Sequence, residues 1–275
     1  MRNLIRADLY RIFKGKGVYI SIAVFILFMV TIVWANGTGT VGVDVYVFQN
    51  PDYDIEAYAH ELEMLAETKM TGKMAPGMLA DGTSDLIYFI LPFIVIIAAA
   101  DFSKGTAKNL ISAGESRLKY FMSKLILTGI VCVSIVGIYL LLSILISTIM
   151  NGFGGSFDME FVTETAKIYL PQLFLIFAYS CIGLLVTFTL KTTASLISIY
   201  VAFSLVPTIL IMILQDVNEK LIDLIQYDLV FNMKTFAYPD GAFPPDLTRT
   251  LLLGFGCILI CTISGFLLFR KAEIK

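Results

Sequence analysis

Charge is what this 275-residue sequence has least of. Only 15% of its residues are Asp, Glu, Lys or Arg, 57% are hydrophobic, and there is a single histidine. Soluble domains carry about 25% charged residues. That shortage, with a mean hydropathy of +0.82, excludes a disordered chain, a nucleic-acid-binding tail and a disulfide-stapled secreted domain. The formal net charge of −2 says little until the charges are placed along the chain. The composition is that of an all-α integral membrane protein.

Chemistry-bearing residues are equally thin. His60 lies in a polar segment, so serine-type intramembrane proteolysis lacks its in-membrane histidine, and the aspartyl type lacks an Asp within two spans. Cys132, Cys181, Cys257 and Cys261 all fall in apolar runs, away from any segment where oxidation would pair them. Cys257 and Cys261 stand at i, i+4, a spacing metal ligands can use. No His, Asp or further Cys accompanies them, so they read as small apolar filler and no metal is expected. Gly-Lys pairs occur at Lys16 and Lys73, but neither has the earlier Gly or the following Ser/Thr of a phosphate-binding loop. The chain is not expected to be an enzyme or to hold a cofactor.

Long apolar runs are what the sequence does have. Six qualify as spans: Val18–Ala35, Leu86–Ala100, Leu125–Met150, Ile168–Leu190, Ala194–Leu214 and Leu251–Phe269. A helix needs about 20 residues to cross a hydrocarbon core of roughly 30 Å. The second run, with 15 residues, is short; it borrows Thr83 and Ser84 or bends at Pro92. Continuous apolar runs mean helices, because barrel strands alternate.

The intervening segments take sides. Those at 1–17, 101–124, 191–193 and 270–275 hold 14 of the 20 basic residues, whereas 18 of the 22 acidic ones lie in the others. The positive-inside rule then puts both termini in the cytoplasm, with six crossings of the plasma membrane. As drawn, the six runs hold no ionisable residue. Ion- or proton-coupled transporters keep such groups inside the bilayer, so any transport energy enters from elsewhere. A membrane-embedded lipid enzyme is disfavoured too, for want of a charged cluster at the membrane edge.

Met1–Lys14 reads as a helix lying in the headgroup layer, with Leu4, Ile5, Leu9, Ile12 and Phe13 gathered on one face and Arg2, Arg6 and Lys14 off it. Gly15 and Gly17 let the chain turn into the first span. A basic start before an apolar run resembles a signal peptide, but 18 apolar residues are too many, and an uncleaved span is expected. In the segment 101–124, residues 106–112 predict a short helix stopped at Ala113-Gly114. A second helix starts at Ser116 and continues into the third span. A short helix between two spans is a lever: a partner that seats it can tilt the membrane helices.

The run Asp101–Lys124 resembles the cytoplasmic loop of ABC-2-type transporter permeases. The matching positions are Asp101, where Glu is commoner, then Gly105, Thr106, Ser116, Arg117 and Lys124. The family's amphipathic elbow helix has an acidic-Leu-x-Arg core, matched by Asp8-Leu9-Tyr10-Arg11. Its last span often ends aromatic-basic-basic, matched by Phe269-Arg270-Lys271.

The resemblance implies one transmembrane domain over 1–275. It comprises an elbow helix at 1–17, an outer loop at 36–85, a coupling loop at 101–124 and an outer re-entrant or interfacial segment at 215–250. It implies pairing with a second permease chain, by default an identical one, and docking of two copies of an ABC ATPase subunit that carries the ATP and Mg. Asp101, Gly105, Thr106, Lys108, Arg117 and Lys124 would couple to that ATPase, and Leu9, Arg11 and Phe13 would form the elbow. The second and fifth spans would face the twofold axis, with Tyr88, Phe89, Phe93, Ser198, Tyr200 and Phe203 lining a path for hydrophobic or amphipathic peptides, as in bacitracin and lantibiotic permeases. A lipid, polysaccharide or drug exporter of the same family is the near alternative, and a non-transporting membrane anchor the distant one. The outer segment Val41–Asp85, with an acidic helix over Asp54–Thr68 that holds Glu56, Glu61, Glu63 and Glu67, and the segment Val217–Arg249 would together form a lid favouring cationic amphipathic molecules. A solvated acidic surface is the alternative.

Overall fold

The computed structural model describes residues 2–37, 69–214, 224–239 and 243–271, and every regular element among them is helical. In chain order these are α1 (Arg2–Lys14), α2 (Lys16–Gly37), α3 (Ala75–Met78), α4 (Asp81–Ser103), α5 (Thr106–Ser112), α6 (Arg117–Asn151), α7 (Met159–Leu190), α8 (Thr193–Leu214), α9 (Leu229–Thr235) and α10 (Leu247–Lys271). Six of them, α2, α4, α6, α7, α8 and α10, are long and apolar enough to cross a membrane. The chain is a multi-pass helical bundle of membrane type. The expected outer helix Asp54–Thr68 and the start of the 215–250 segment lie outside the described residues.

Each span begins or ends beyond its apolar run. The short second run is the clearest case, because α4 starts with a 3-10 turn over Asp81–Asp85, passes through Pro92 and ends in a π turn over Val95–Ala99 and a last turn to Ser103. Thr83 and Ser84 are thus inside the helix, and its 23 residues reach across a bilayer. At 35 residues, α6 runs about 50 Å at 1.5 Å per residue and extends past the hydrocarbon. These longer helices take in Asp101 and Lys124, which corrects the expectation of spans free of ionisable residues.

At the centre of the bundle stands α7, packed against α4, α6, α8 and α10. Its residues Ala178–Leu184 are buried without a break. Gly183 admits the ring of Tyr200, which an added Cβ would meet at 3.0 Å. The outward sides of α2, α6, α8 and α10 are apolar and exposed, for example Leu27, Leu141, Leu210 and Leu252, as a lipid-facing surface requires. Cys132, Cys181 and Cys261 are buried, Cys257 is half-buried, and all four are free thiols.

The spans run alternately up and down. One end, called basal below, gathers α1, α5 and the ends of α4, α6, α7 and α10. The opposite end carries residues 69–80, 152–158 and α9. There, side chains bond to backbone: Tyr139 to the Leu79 carbonyl at 2.6 Å, Tyr169 to that of Pro76 at 3.1 Å, and Gln172 Nε2 to those of Ala80 and Met233 at 2.9 and 3.0 Å. Asp158 caps α7 by accepting from Phe161 N at 2.9 Å and pairs with Lys73 at 3.2 Å. Those bonds, the Phe161 amide foremost, hold its carboxyl below the usual range. The short helix α9 rests between α7, α10 and the 3-10 turn of α4, a helical piece between the last two spans as expected.

Candidate functional site

Four charged side chains from three helices meet at the basal end. Asp8 lies one turn after Leu4 and one turn before Ile12, both buried. Helical periodicity therefore turns its carboxylate toward the bundle. Arg11 Nη2 meets Asp8 Oδ1 at 2.7 Å, and Arg11 Nη1 donates to Asp101 Oδ1. From α6, Lys124 Nζ reaches Asp8 Oδ2 and Asp101 Oδ2, each at 2.6 Å. The contacts close a ring: Asp8, Arg11, Asp101, Lys124 and back to Asp8. Tyr120 donates its hydroxyl to Asp101 Oδ2 at 2.7 Å, and its ring centroid lies 4.9 Å from the Lys124 ammonium.

Lys124 is only 1% exposed, so withdrawal of these ions from water is costly unless every partner is in place. All four carboxylate oxygens are engaged, and two acids balance two bases. Burial pushes the Asp8 carboxyl above the ordinary range, with Lys124 and then Arg11 pulling it back. The π turn at Val95–Ala99 helps to aim Asp101. Such a turn adds one residue to a helix and so rotates the residues beyond it by about 100°. Its Ile97 carbonyl also accepts from Arg11 Nη2, at 3.3 Å.

The segment after Asp101 carries the exposed helix α5. Gly105 precedes it in the left-handed region, φ +68°, which glycine adopts without a Cβ penalty. Gly114, at φ +94°, ends it. Gly114 N donates to the Ile111 carbonyl and Glu115 N to that of Leu110, each at 3.1 Å, the paired bonds of a Schellman stop. Ala107 is buried, Thr106 and Gly105 are half-buried, and Lys108 and Asn109 are exposed. The expected helix over 106–112 is found residue for residue.

Arg117, expected in the same surface, turns instead to the last span. Its Nη1 donates to the carbonyls of Phe269 and Arg270 at 2.9 and 2.6 Å, and its guanidinium lies 5.9 Å from the Phe269 ring centroid. It thus caps the C-terminal end of α10, where a cation also opposes the helix dipole. Phe269 packs edge-on to Phe102 and Phe188 and stacks with Tyr120. Asp8–Arg11, Asp101–Lys124 and Phe269–Arg270, distant in sequence, are one constellation in space.

Other expectations are corrected. A charged cluster does stand at the membrane edge, although its carboxylates are all consumed by ion pairs. Phe13 leaves the buried stripe: it is 67% exposed, because one residue beyond Ile12 is about 100° round the helix. Leu9 is half-buried, and Asp8 takes the place on that face expected of Phe13. The six path residues do not form one lining. Phe89 packs on Phe25 and Phe28 of α2. Tyr88 and Ser204 share a hydrogen bond of 2.9 Å, and Phe93 is half-buried. Tyr200 is buried against Tyr179 and reaches the Ile87 carbonyl at 3.3 Å. Ser198 and Phe203 are exposed on α8. Asp8, taken from the sequence only as part of the elbow motif, and Tyr120 are the residues whose place in the ring sequence reasoning passes over. An acidic residue on an apolar helical stripe is the available signal for the first.

A family model described as a protein of unknown function, DUF2705, matches residues 83–275, and the chain belongs to that family. No curated protein matches it.

Proposed function

We propose that this DUF2705 protein is the membrane-spanning subunit of an ATP-driven exporter of ABC-2 type that moves hydrophobic or amphipathic peptides out of the cell. What carries the reading is α5: it stands exposed at the basal end, yet both of its flanks run straight into spans whose ends are fastened by the charged ring. A partner that presses on α5 therefore moves α4 and α6 together, and cannot move one without loading the salt bridges. In this reading α1 is the elbow helix and α5 the coupling helix. The basal end and both termini are cytoplasmic, in line with the basic excess there. ATP and Mg are held by two copies of a partner ATPase. The twofold mate is a second copy of this chain, seated along the exposed flank of α8 that bears Ser198 and Phe203.

Purification of the tagged chain with its genomic neighbours, followed by mass spectrometry, tests the proposal. A stoichiometric subunit with a phosphate-binding loop supports it; recovery of the chain alone in mild detergent overturns it. Gly105→Ala then tests the lever. A Cβ at Gly105 meets nothing within 4 Å, so the change acts only on the left-handed turn, at about 1 kcal/mol. The expected outcome is a complex that still assembles and hydrolyses ATP while transport falls several-fold.

A further inference from the structure

The face of α1 turned away from the ring has its own chemistry. Beside Ala7, the exposed residues of the helix are Arg6, Tyr10, Phe13 and Lys14, two cations interleaved with two aromatics; Tyr10 is 63% exposed. Lys14 Nζ donates to the Tyr10 hydroxyl at 3.0 Å and sits 5.4 Å from its ring centroid, so the ammonium is held beside the aromatic rather than trailing free. The helix is joined to the first span by Gly15 alone. Tyr19, one turn into that span, donates back to the Phe13 carbonyl at 2.6 Å. Those two constraints fix α1 at the level where α2 enters the hydrocarbon. Asp8, the one acidic residue of α1, is spent inside the ring and does not offset these cations.

We infer that this face, completed by Lys16 and Tyr19 at the start of α2, binds the headgroups of anionic phospholipids. The tether fixes the occupant. Exposed aromatics with cations at the end of a span are the pattern of the membrane interface, and a basic face at that depth is drawn to a negative leaflet. The opposite face of the same helix holds the ring, so lipid bound here favours the docked position of α1. This inference needs only the membrane reading and stands whether or not the exporter proposal does.

Native mass spectrometry of the delipidated full-length protein, titrated with dioleoylphosphatidylglycerol or dioleoylphosphatidylcholine, tests it. Phosphatidylglycerol is expected to be preferred. Its apparent affinity should weaken about fivefold for each cation removed, so roughly a hundredfold in an Arg6→Gln, Lys14→Gln, Lys16→Gln variant. A control with the same charge loss at Lys104, Lys108 and Lys119, also exposed at the basal end, should keep nearly the full preference. Equal loss in both variants, no preference between the lipids, or displacement of phosphatidylglycerol by soluble glycerol phosphate would each overturn the inference. Because the three substituted side chains are exposed, both variants are expected to melt with the parent in phosphatidylcholine, which keeps misfolding apart from lost binding.

Discussion

The two ends of the bundle are fastened by different forces. At the basal end, α1, α4 and α6 are joined by four full charges in mutual contact, and Arg117 fixes α10 to α6. At the opposite end the ties are mostly neutral: Tyr139, Tyr169, Gln172 and Asn151 donate to backbone carbonyls, and Thr250 donates to Asn232 at 2.8 Å. A neutral bond to a carbonyl is nearly indifferent to pH and to nearby ions. A buried ion pair is strong while complete and poor when one member is lost. The opposite end is therefore held mainly by bonds that charge disturbs little, with the ion pairs Lys73–Asp158 and Lys234–Asp81 lying partly exposed, and the basal end by contacts sensitive to charge brought against them.

The sharpest way to break this contrast is Lys124→Met. It leaves Asp8 and Asp101 facing each other with only Arg11 between them, and should cost about 3–5 kcal/mol in thermal unfolding of the purified protein. Adding Asp8→Asn restores neutrality and should recover a good part of that loss; no recovery would mean that packing, not charge, governs this end. Next comes Gln172→Leu at the opposite end, which removes the bonds to the Ala80 and Met233 carbonyls at about 1–3 kcal/mol, with no pH dependence. Arg117→Met removes the cap from α10 and should cost about 1 kcal/mol, seen as faster amide exchange in the last turn of that helix.

The smallest effect is one of pH. The Asp8 carboxyl is raised in the folded chain, so at a pH between the ordinary and the raised value the native state binds more proton than the unfolded state does. That contribution is full below the ordinary aspartate value and is lost as pH rises through the raised one. Melting curves across mildly acidic pH should show this slope in the parent and in Gln172→Leu, and a flatter one in Asp8→Asn.

Much of this architecture is legible in the sequence, for reasons that differ by element. The spans show as apolar runs, and the stop after Ser112 is written in Gly114, whose backbone takes the left-handed turn that glycine favours. The ring is not legible, because an apolar run ends where charges begin. A helix does not end where its hydrophobicity does: α6 starts eight residues before Leu125, and those residues include Lys124. Periodicity tells which face of α1 Asp8 occupies, but not that a lysine far along the chain meets it there. The candidate path is not legible for a related reason. Tyr and Ser on neighbouring spans serve equally to line a passage or to bond helix to helix, and Tyr200 and Tyr88 do the second.

The ring also imposes an order in time. Asp8 is synthesised 116 residues ahead of Lys124, which at about 5–20 residues per second is on the order of ten seconds. Until Asp101 is made, Asp8 and Arg11 have only each other, one turn apart on α1. Docking of α1 must wait until the third span has been threaded into the bilayer with its lysine at the correct end. A chain inserted with the second and third spans inverted would never present Asp101 and Lys124 to α1, and the N-terminal helix would stay undocked, a visible mark of faulty insertion.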